Sequence, residues 1–292
     1  MMLKEVSLVE LEPYERHLDR LQRLEREGKG KVITLFEFPI NGRLIPHVGI
    51  SSGDVVLVTV GHSPYATIGT YDTGYRLFEN GVEGITLVNV STPLEHGKGK
   101  RAIDNIFSHA QEFYSSKEDQ EHHIEQSIRD EFGLGSFGES PNSPNRMVTD
   151  WGKYKYGSPD ASESVRAVEN LVAGHKIIFD LCLTPDVQGR YFLLVRQSED
   201  PREGEVSSLI LESIVSSGMQ LPDNIGFGYN IKPGLFGISN YTRGDVLGYA
   251  ARLGKLNYAP HMPVFSGRNM ADAERNVSTT AAFISKVARV LR

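Results

Sequence analysis

Short runs of consecutive apolar residues alternate along this chain with stretches in which apolar residues return every three or four positions. That alternation predicts an α/β fold. Residues 14 to 27, YERHLDRLQRLERE, place Tyr14, Leu18, Leu21 and Leu24 at helical spacing, and Gly28 and Gly30 supply a stop. VITLFEF (32 to 38) and LIPHVGI (44 to 50) are β-rich and flank Pro39-Ile40-Asn41-Gly42, an Asn-Gly hairpin signal, so they are expected as an edge hairpin. The run at 55 to 60 lacks polar alternation until Thr59, as suits a central strand covered on both faces. A helix pattern over 65 to 80 and a buried run at 84 to 90 complete a β-α-β unit, for which parallel pairing is expected.

Two helical stretches are expected between 101 and 132. At Gly133 the composition changes abruptly to a Gly/Ser/Pro/Asn-rich segment that continues to Ser162. A loop of that length inside a compact domain points to function. The alternation then resumes with a helix at 162 to 173, strands at 176 to 183 and 191 to 195, and a helix from about 204 to 217. A Gly-rich loop at 226 to 237 precedes a helix at 241 to 253, an extended segment at 256 to 265 and a closing helix at 272 to 291. Residues 1–292 therefore read as a single α/β domain with a mixed, mostly parallel central sheet and helices on both faces. Residues 1–30 supply an N-terminal helix packed on it, and 133–162 a long functional loop.

Composition narrows the partners. With 31 basic against 37 acidic residues the net charge is -6, which gives no electrostatic reason to expect nucleic acid or an anionic membrane surface. No stretch approaches the ~18 apolar residues of a membrane span, and the acidic, interrupted start does not resemble a signal peptide. A cytoplasmic protein is the expectation. The single cysteine, Cys182, excludes an intramolecular disulfide and a cysteine-rich zinc module.

Candidate chemistry gathers at strand ends. Gly61-His62 follows the buried strand at 55 to 60, at the carboxyl end of the sheet where open α/β folds build their sites. An imidazole there suits a metal ligand or a general base, and equally a polar residue that starts a loop. Asp180-Leu181-Cys182 ends another apolar strand, with Asp180 and Cys182 on one side of it. The thiol suits a zinc ligand, a nucleophile or a small core filler. In the long loop, the Arg146 guanidinium beside Asn145 has the fork geometry that clamps a carboxylate, although a loop arginine is more often simply solvated.

Two other patterns carry less. His122 and Glu125 have ligand spacing on a helix, but their surroundings, KEDQEHHIEQSIRDE, read as a solvated face. GLGSFG (133 to 138) matches a phosphate-loop pattern without the strand before it and helix after it that the pattern needs. No G-x-S-x-G elbow, P-loop lysine or paired CxxC occurs in the chain.

Taken in order, these features resemble the zinc carboxypeptidase superfamily, including its succinylglutamate desuccinylase and aspartoacylase branch, over about residues 32 to 292. Gly42-Arg43-Leu44-Ile45 stands where that family has Gly-Arg-x-Ile, and VVLVTVGH where its strand ends in a metal-binding histidine. Asn145-Arg146 looks like its substrate-binding pair, and FDLCLTP occupies the place of its Asp-x-His strand, with Cys182 at the histidine position. The resemblance implies zinc held by His62 and Cys182, a small carboxylate-bearing ligand on Asn145 and Arg146, and hydrolysis of its amide bond. Two positions depart from the family. Tyr65 stands where a ligand Glu is expected, and His261 lies at about the place of the catalytic Glu, as a candidate catalytic residue or a third ligand. Two functions stay open: a metal-dependent amide hydrolase, and a catalytically inactive, zinc-free binding or scaffold protein of the same fold.

Overall fold

The structure is a computed structural model that describes residues 12–40, 42–60, 70–89, 111–113, 115–116, 119–120, 123, 156–157, 159, 161, 163–184, 192–195, 200–219, 229–232, 235–237, 246–263 and 270–292. Among them nine strands form one sheet. In chain order the elements are α1 (Glu12–Arg26), β1 (Lys31–Ile40), β2 (Arg43–Ser51), β3 (Val56–Val60), α2 (Thr70–Glu79), β4 (Ile85–Asn89), α3 (Glu163–Gly174), β5 (Ile177–Thr184), β6 (Phe192–Val195), α4 (Glu203–Ser216), β7 (Tyr229–Lys232), β8 (Leu235–Gly237), α5 (Val246–Arg252), β9 (Leu256–Pro263) and α6 (Met270–Leu291). Their order across the sheet is β1-β2-β4-β3-β5-β9-β6-β8-β7.

The centre of the sheet is parallel and its flanks are mixed. β4, β3, β5 and β9 lie side by side in parallel, whereas β1 with β2, β2 with β4, β6 with β9 and β7 with β8 are antiparallel. β6 with β8 is the remaining parallel pair. The expected mostly parallel sheet is thus corrected to an even mixture around a parallel centre. The hairpin turns one flank over, and β6 returns antiparallel to β9 on the other.

The edge hairpin forms as its turn chemistry dictates, with Gly42 at φ 73° where a side chain is strained. β3 is buried at every position, in keeping with its unbroken apolar run. The Gly-rich stretch expected to be loop instead contains β7 and β8, paired with each other. Tyr229, Ile231, Leu235 and Phe236 are enough apolar residues for two short strands, and the surrounding glycines hide them from a propensity reading.

Strand alternation sends side chains to two cores. On one face Val56, Val58, Val60, Ile177, Phe179 and Leu181 pack with residues of α1, α2, α4 and α6. On the other, Leu57, Val88, Ile178 and Ala259 pack against α3 and α5. Full burial of one such side chain is worth about 1.5–3 kcal/mol, so both layers contribute to a single cooperative sheet. No helix among the described residues is long and apolar enough to cross a membrane.

α1 is tied down at several points. Tyr14, Leu21 and Leu24 are buried, and Leu18 packs against the same core, which realises the helical stripe read from the sequence. The helix closes at Gly28, φ 71°, with the Lys29 amide donating to the Leu24 carbonyl and the Gly28 amide to the Glu25 carbonyl. Its inner face meets α2, where Nδ1 of His17 contacts the Tyr75 hydroxyl and the Arg20 guanidinium lies 3.9 Å from the centre of the Tyr75 ring.

Candidate site at the carboxyl ends of the parallel strands

The four central strands deliver their carboxyl ends to one edge of the molecule. Backbone register sets which residues meet there. Val60, the last residue of β3, lies opposite Asn89 of β4 on one side and Leu181 of β5 on the other. On β5 the next position is Cys182, and its partner on β9 is His261. Adjacent strands lie about 4.8 Å apart, so two of the residues singled out in the sequence occupy neighbouring positions although 78 residues separate them in the chain numbering.

The other predicted residues are not brought into view. His62 and Tyr65 follow β3, and Asn145 and Arg146 belong to the long loop. All four lie outside the described residues, as do His122, Glu125, the glycines of 133 to 138 and most of the stretches at 101 to 132 and 133 to 162. The described residues therefore join Cys182 to His261 by register and place Val60, the last described residue of β3, on the adjacent strand.

Next to this point the sheet buries a carboxylate. Thr59 and Asp180 are register partners on β3 and β5, and the Thr59 hydroxyl donates to Oδ1 of Asp180 at 2.7 Å. Thr59 is 0% exposed and Asp180 5%. They share strand parity with Leu57 and Ile178, so they face the α3 and α5 side of the sheet. A carboxylate so deep is expensive unless hydrogen bonds replace its water, and the threonine supplies one of them.

Two further buried polar residues stand at the same end, and one of them, His47, was missed in the sequence reading. Nε2 of His47 on β2 contacts the carbonyl oxygen of Asn89, with both residues 1% exposed. The Phe38 ring lies 5.8 Å from the His47 imidazole, centre to centre. The only sequence signal was an imidazole inside the apolar run LIPHVGI, which ordinary strand alternation accommodates without special meaning.

Among the described residues, no group of three His, Cys, Asp or Glu side chains is arranged to hold a metal ion. By chemical type, a thiolate and imidazoles are donors that zinc takes. Cys182 and its register neighbour His261 carry side chains of those types.

No family model and no curated protein matches the sequence. Solved structures do match the fold. A proposed metallopeptidase from Shewanella amazonensis SB2B superposes with a TM-score of 0.55 at 12% identity, over 96% of this chain and 92% of its own. A second, from Shewanella denitrificans OS217, gives 0.52 at 14% identity, over 96% and 89%. Thrombin activatable fibrinolysis inhibitor gives 0.51 at 10% identity, over 93% and 72%. At these identities the likeness is one of backbone architecture alone, and the chain has a carboxypeptidase-like fold.

Proposed function

We propose that the carboxyl edge of β3, β5 and β9 binds a small carboxylate-bearing peptide or N-acyl amino acid and hydrolyses its amide bond with the help of zinc. The observation that carries this reading is the register pairing of Cys182 with His261, one strand from Val60, which Gly61-His62 follow in the sequence. In this proposal His62 and Cys182 hold the metal, while His261 completes the ligand set or carries a proton. Asn145 and Arg146 clamp the substrate carboxylate through parallel hydrogen bonds. Bound zinc would supply a Lewis acid and a water of lowered pKa. The test is the zinc content of the purified chain together with its activity on N-acyl amino acids and short peptides. A chain that takes up no zinc and cleaves neither substrate class with zinc added rules this reading out.

A zinc-free binding protein of the same fold is the second reading, and specific residues favour it. Tyr65 and His261 stand where the resembled family has carboxylates, and the buried Asp180 is engaged as a hydrogen-bond acceptor. It predicts that Arg146→Ala abolishes stabilisation by a carboxylate ligand such as an N-acetyl amino acid, while chelators leave stability unchanged. A large loss of stability in chelator counts against it.

A further inference from the structure

One buried histidine lies away from the candidate site, at the amino ends of the parallel strands. His175 stands between α3 and β5 and is 4% exposed. Its Nδ1 lies 2.6 Å from the carbonyl oxygen of Leu171, in the last turn of α3. A carbonyl can only accept, so in the neutral ring Nδ1 carries the proton and Nε2 is a bare acceptor. That Nε2 is buried without a hydrogen-bond partner among the described residues. A buried polar atom left in this state is costly.

The neighbouring backbone explains what the atom is for. Gly53, in the turn between β2 and β3, acts on the imidazole in the sense that favours its protonated form. The Gly53 carbonyl already accepts from two hydroxyls, Thr86 at 2.8 Å and Ser51 at 3.2 Å. The turn is also tightly seated: Gly53 has φ 149°, and a β-carbon there would sit 2.7 Å from Cα of Gly84. Protonation of the ring converts Nε2 from an acceptor into a charged donor, and charge-assisted bonds are about twice as strong as neutral ones.

We propose that His175 is a proton-operated clasp between the end of α3 and the β2–β3 turn, whose imidazolium keeps the Leu171 carbonyl and takes the Gly53 carbonyl from the Ser51 hydroxyl. Ser51 is the donor to be displaced because its bond is the longer of the two, and it retains the Thr86 hydroxyl at 2.8 Å. The proton comes from solvent and returns there as the pH rises. Among charged neighbours, Asp54 favours the cation and Lys255 opposes it. Lys255 is held on the Ala173 carbonyl at 2.9 Å, Lys176 on the Leu291 carbonyl at 2.6 Å, and Arg292 on Glu83 at 2.7 Å. The carboxyl end of α3 attracts a cation, while burial resists the charge and moves closure of the clasp below the ordinary imidazole range.

NMR of the full-length, isotope-labelled chain tests the clasp. Near neutral pH the His175 ring is expected as the Nδ1–H tautomer. As the pH falls from about 7.5, Nε2 should take up a proton and the Gly53 and Asp54 backbone shifts should move with the same midpoint. Ser51→Ala removes the competing hydroxyl and is expected to raise the proton affinity of His175 by about threefold or more. Asp54→Asn should leave the coupled movement at Gly53 in place. Loss of that movement in Asp54→Asn assigns the new bond to the carboxylate and overturns the proposal. So do an Nε2–H tautomer at neutral pH, a midpoint that Ser51→Ala leaves unmoved or lowers, and a ring that takes up no proton before the chain unfolds. If Ser51→Ala does not fold, the wild-type tautomer and the Gly53 titration decide by the same criteria. These readings need neither metal nor substrate, so they stand apart from the test of the proposed function.

Discussion

Thr59 and Asp180 face each other across β3 and β5 at matched register, hydroxyl to carboxylate at 2.7 Å, both inside the sheet. Leaving a buried acceptor short of one bond costs about 1–3 kcal/mol, more when the acceptor is charged. Thr59→Val, nearly the same shape, is therefore expected to lower unfolding free energy by at least that much in urea titrations. Thr59→Ser, which keeps the hydroxyl, loses less. Equal stability of the Val variant and the wild type would show that the pair contributes nothing.

Gly49 of β2 pairs with Val88 of β4. A β-carbon there would lie 2.5 Å from the Leu87 carbonyl oxygen and 2.7 Å from Cγ1 of Val88. Backbone cannot yield as a flexible side chain does, so Gly49→Ala has to push the two strands apart. Overpacking of this kind costs about 1–3 kcal/mol. A thermal melt provides the check, and an unchanged midpoint would mean that the junction is far more pliable than its spacing indicates.

Tyr14 gives a second handle on the same junction. Burial pushes its phenol well above the ordinary tyrosine range, while the hydrogen bond from Val48 acts in the opposite sense. Tyr14→Phe keeps the ring in the core and removes only the hydroxyl that serves Pro46 and Val48. The expected outcome is a loss of about 1–3 kcal/mol with faster amide exchange at Val48 and little change at Leu21 or Leu24.

His175 makes stability depend on pH. It lies between α3 and β5, 4% exposed, with Nδ1 donating to the Leu171 carbonyl at 2.6 Å. Burial lowers its pKa below the usual 6.5, against smaller opposing effects from the Leu171 carbonyl, Asp54 and Gly53, with Lys255 adding to the lowering. The unfolded chain therefore takes up a proton at a higher pH than the folded one. The contribution of neutral His175 is complete above about pH 6.5 and declines as the pH falls from there toward the folded-state value. His175→Gln should flatten that part of the curve of urea midpoint against pH between about 5 and 7.5. A slope unchanged by the substitution would assign the effect to other groups.

The parts of the fold that could be read from sequence are those specified by local pattern. The α1 stripe of Tyr14, Leu18, Leu21 and Leu24, the Asn41-Gly42 hairpin and the unbroken run of β3 each encode their element within about ten residues. β7 and β8 escaped because a strand of three or four residues carries too little periodicity to stand out among glycines. The balance of parallel and antiparallel pairs escaped because strand direction is set by how distant segments return to the sheet. At the site, Asp180 and Cys182 were visible as a strand end, yet nothing local to either residue specifies that His261 lies beside Cys182. His47 was passed over for a related reason: its contact with the Asn89 carbonyl joins β2 to β4, a tertiary event.

β9 is the last of the described strands in chain order, but it lies between β5 and β6, in the interior of the sheet. A ribosome-bound chain that has emerged only to α5 has every other strand available and still cannot join the two halves of its sheet. Until β9 arrives, β5 and β6 each present an open edge, the kind of surface that recruits strands from other molecules. The same insertion brings His261 to Cys182. Closure of the sheet and the pairing of these two positions are therefore one event, which follows synthesis of every other described strand and depends on contacts distant in sequence, so slow folding is the expectation.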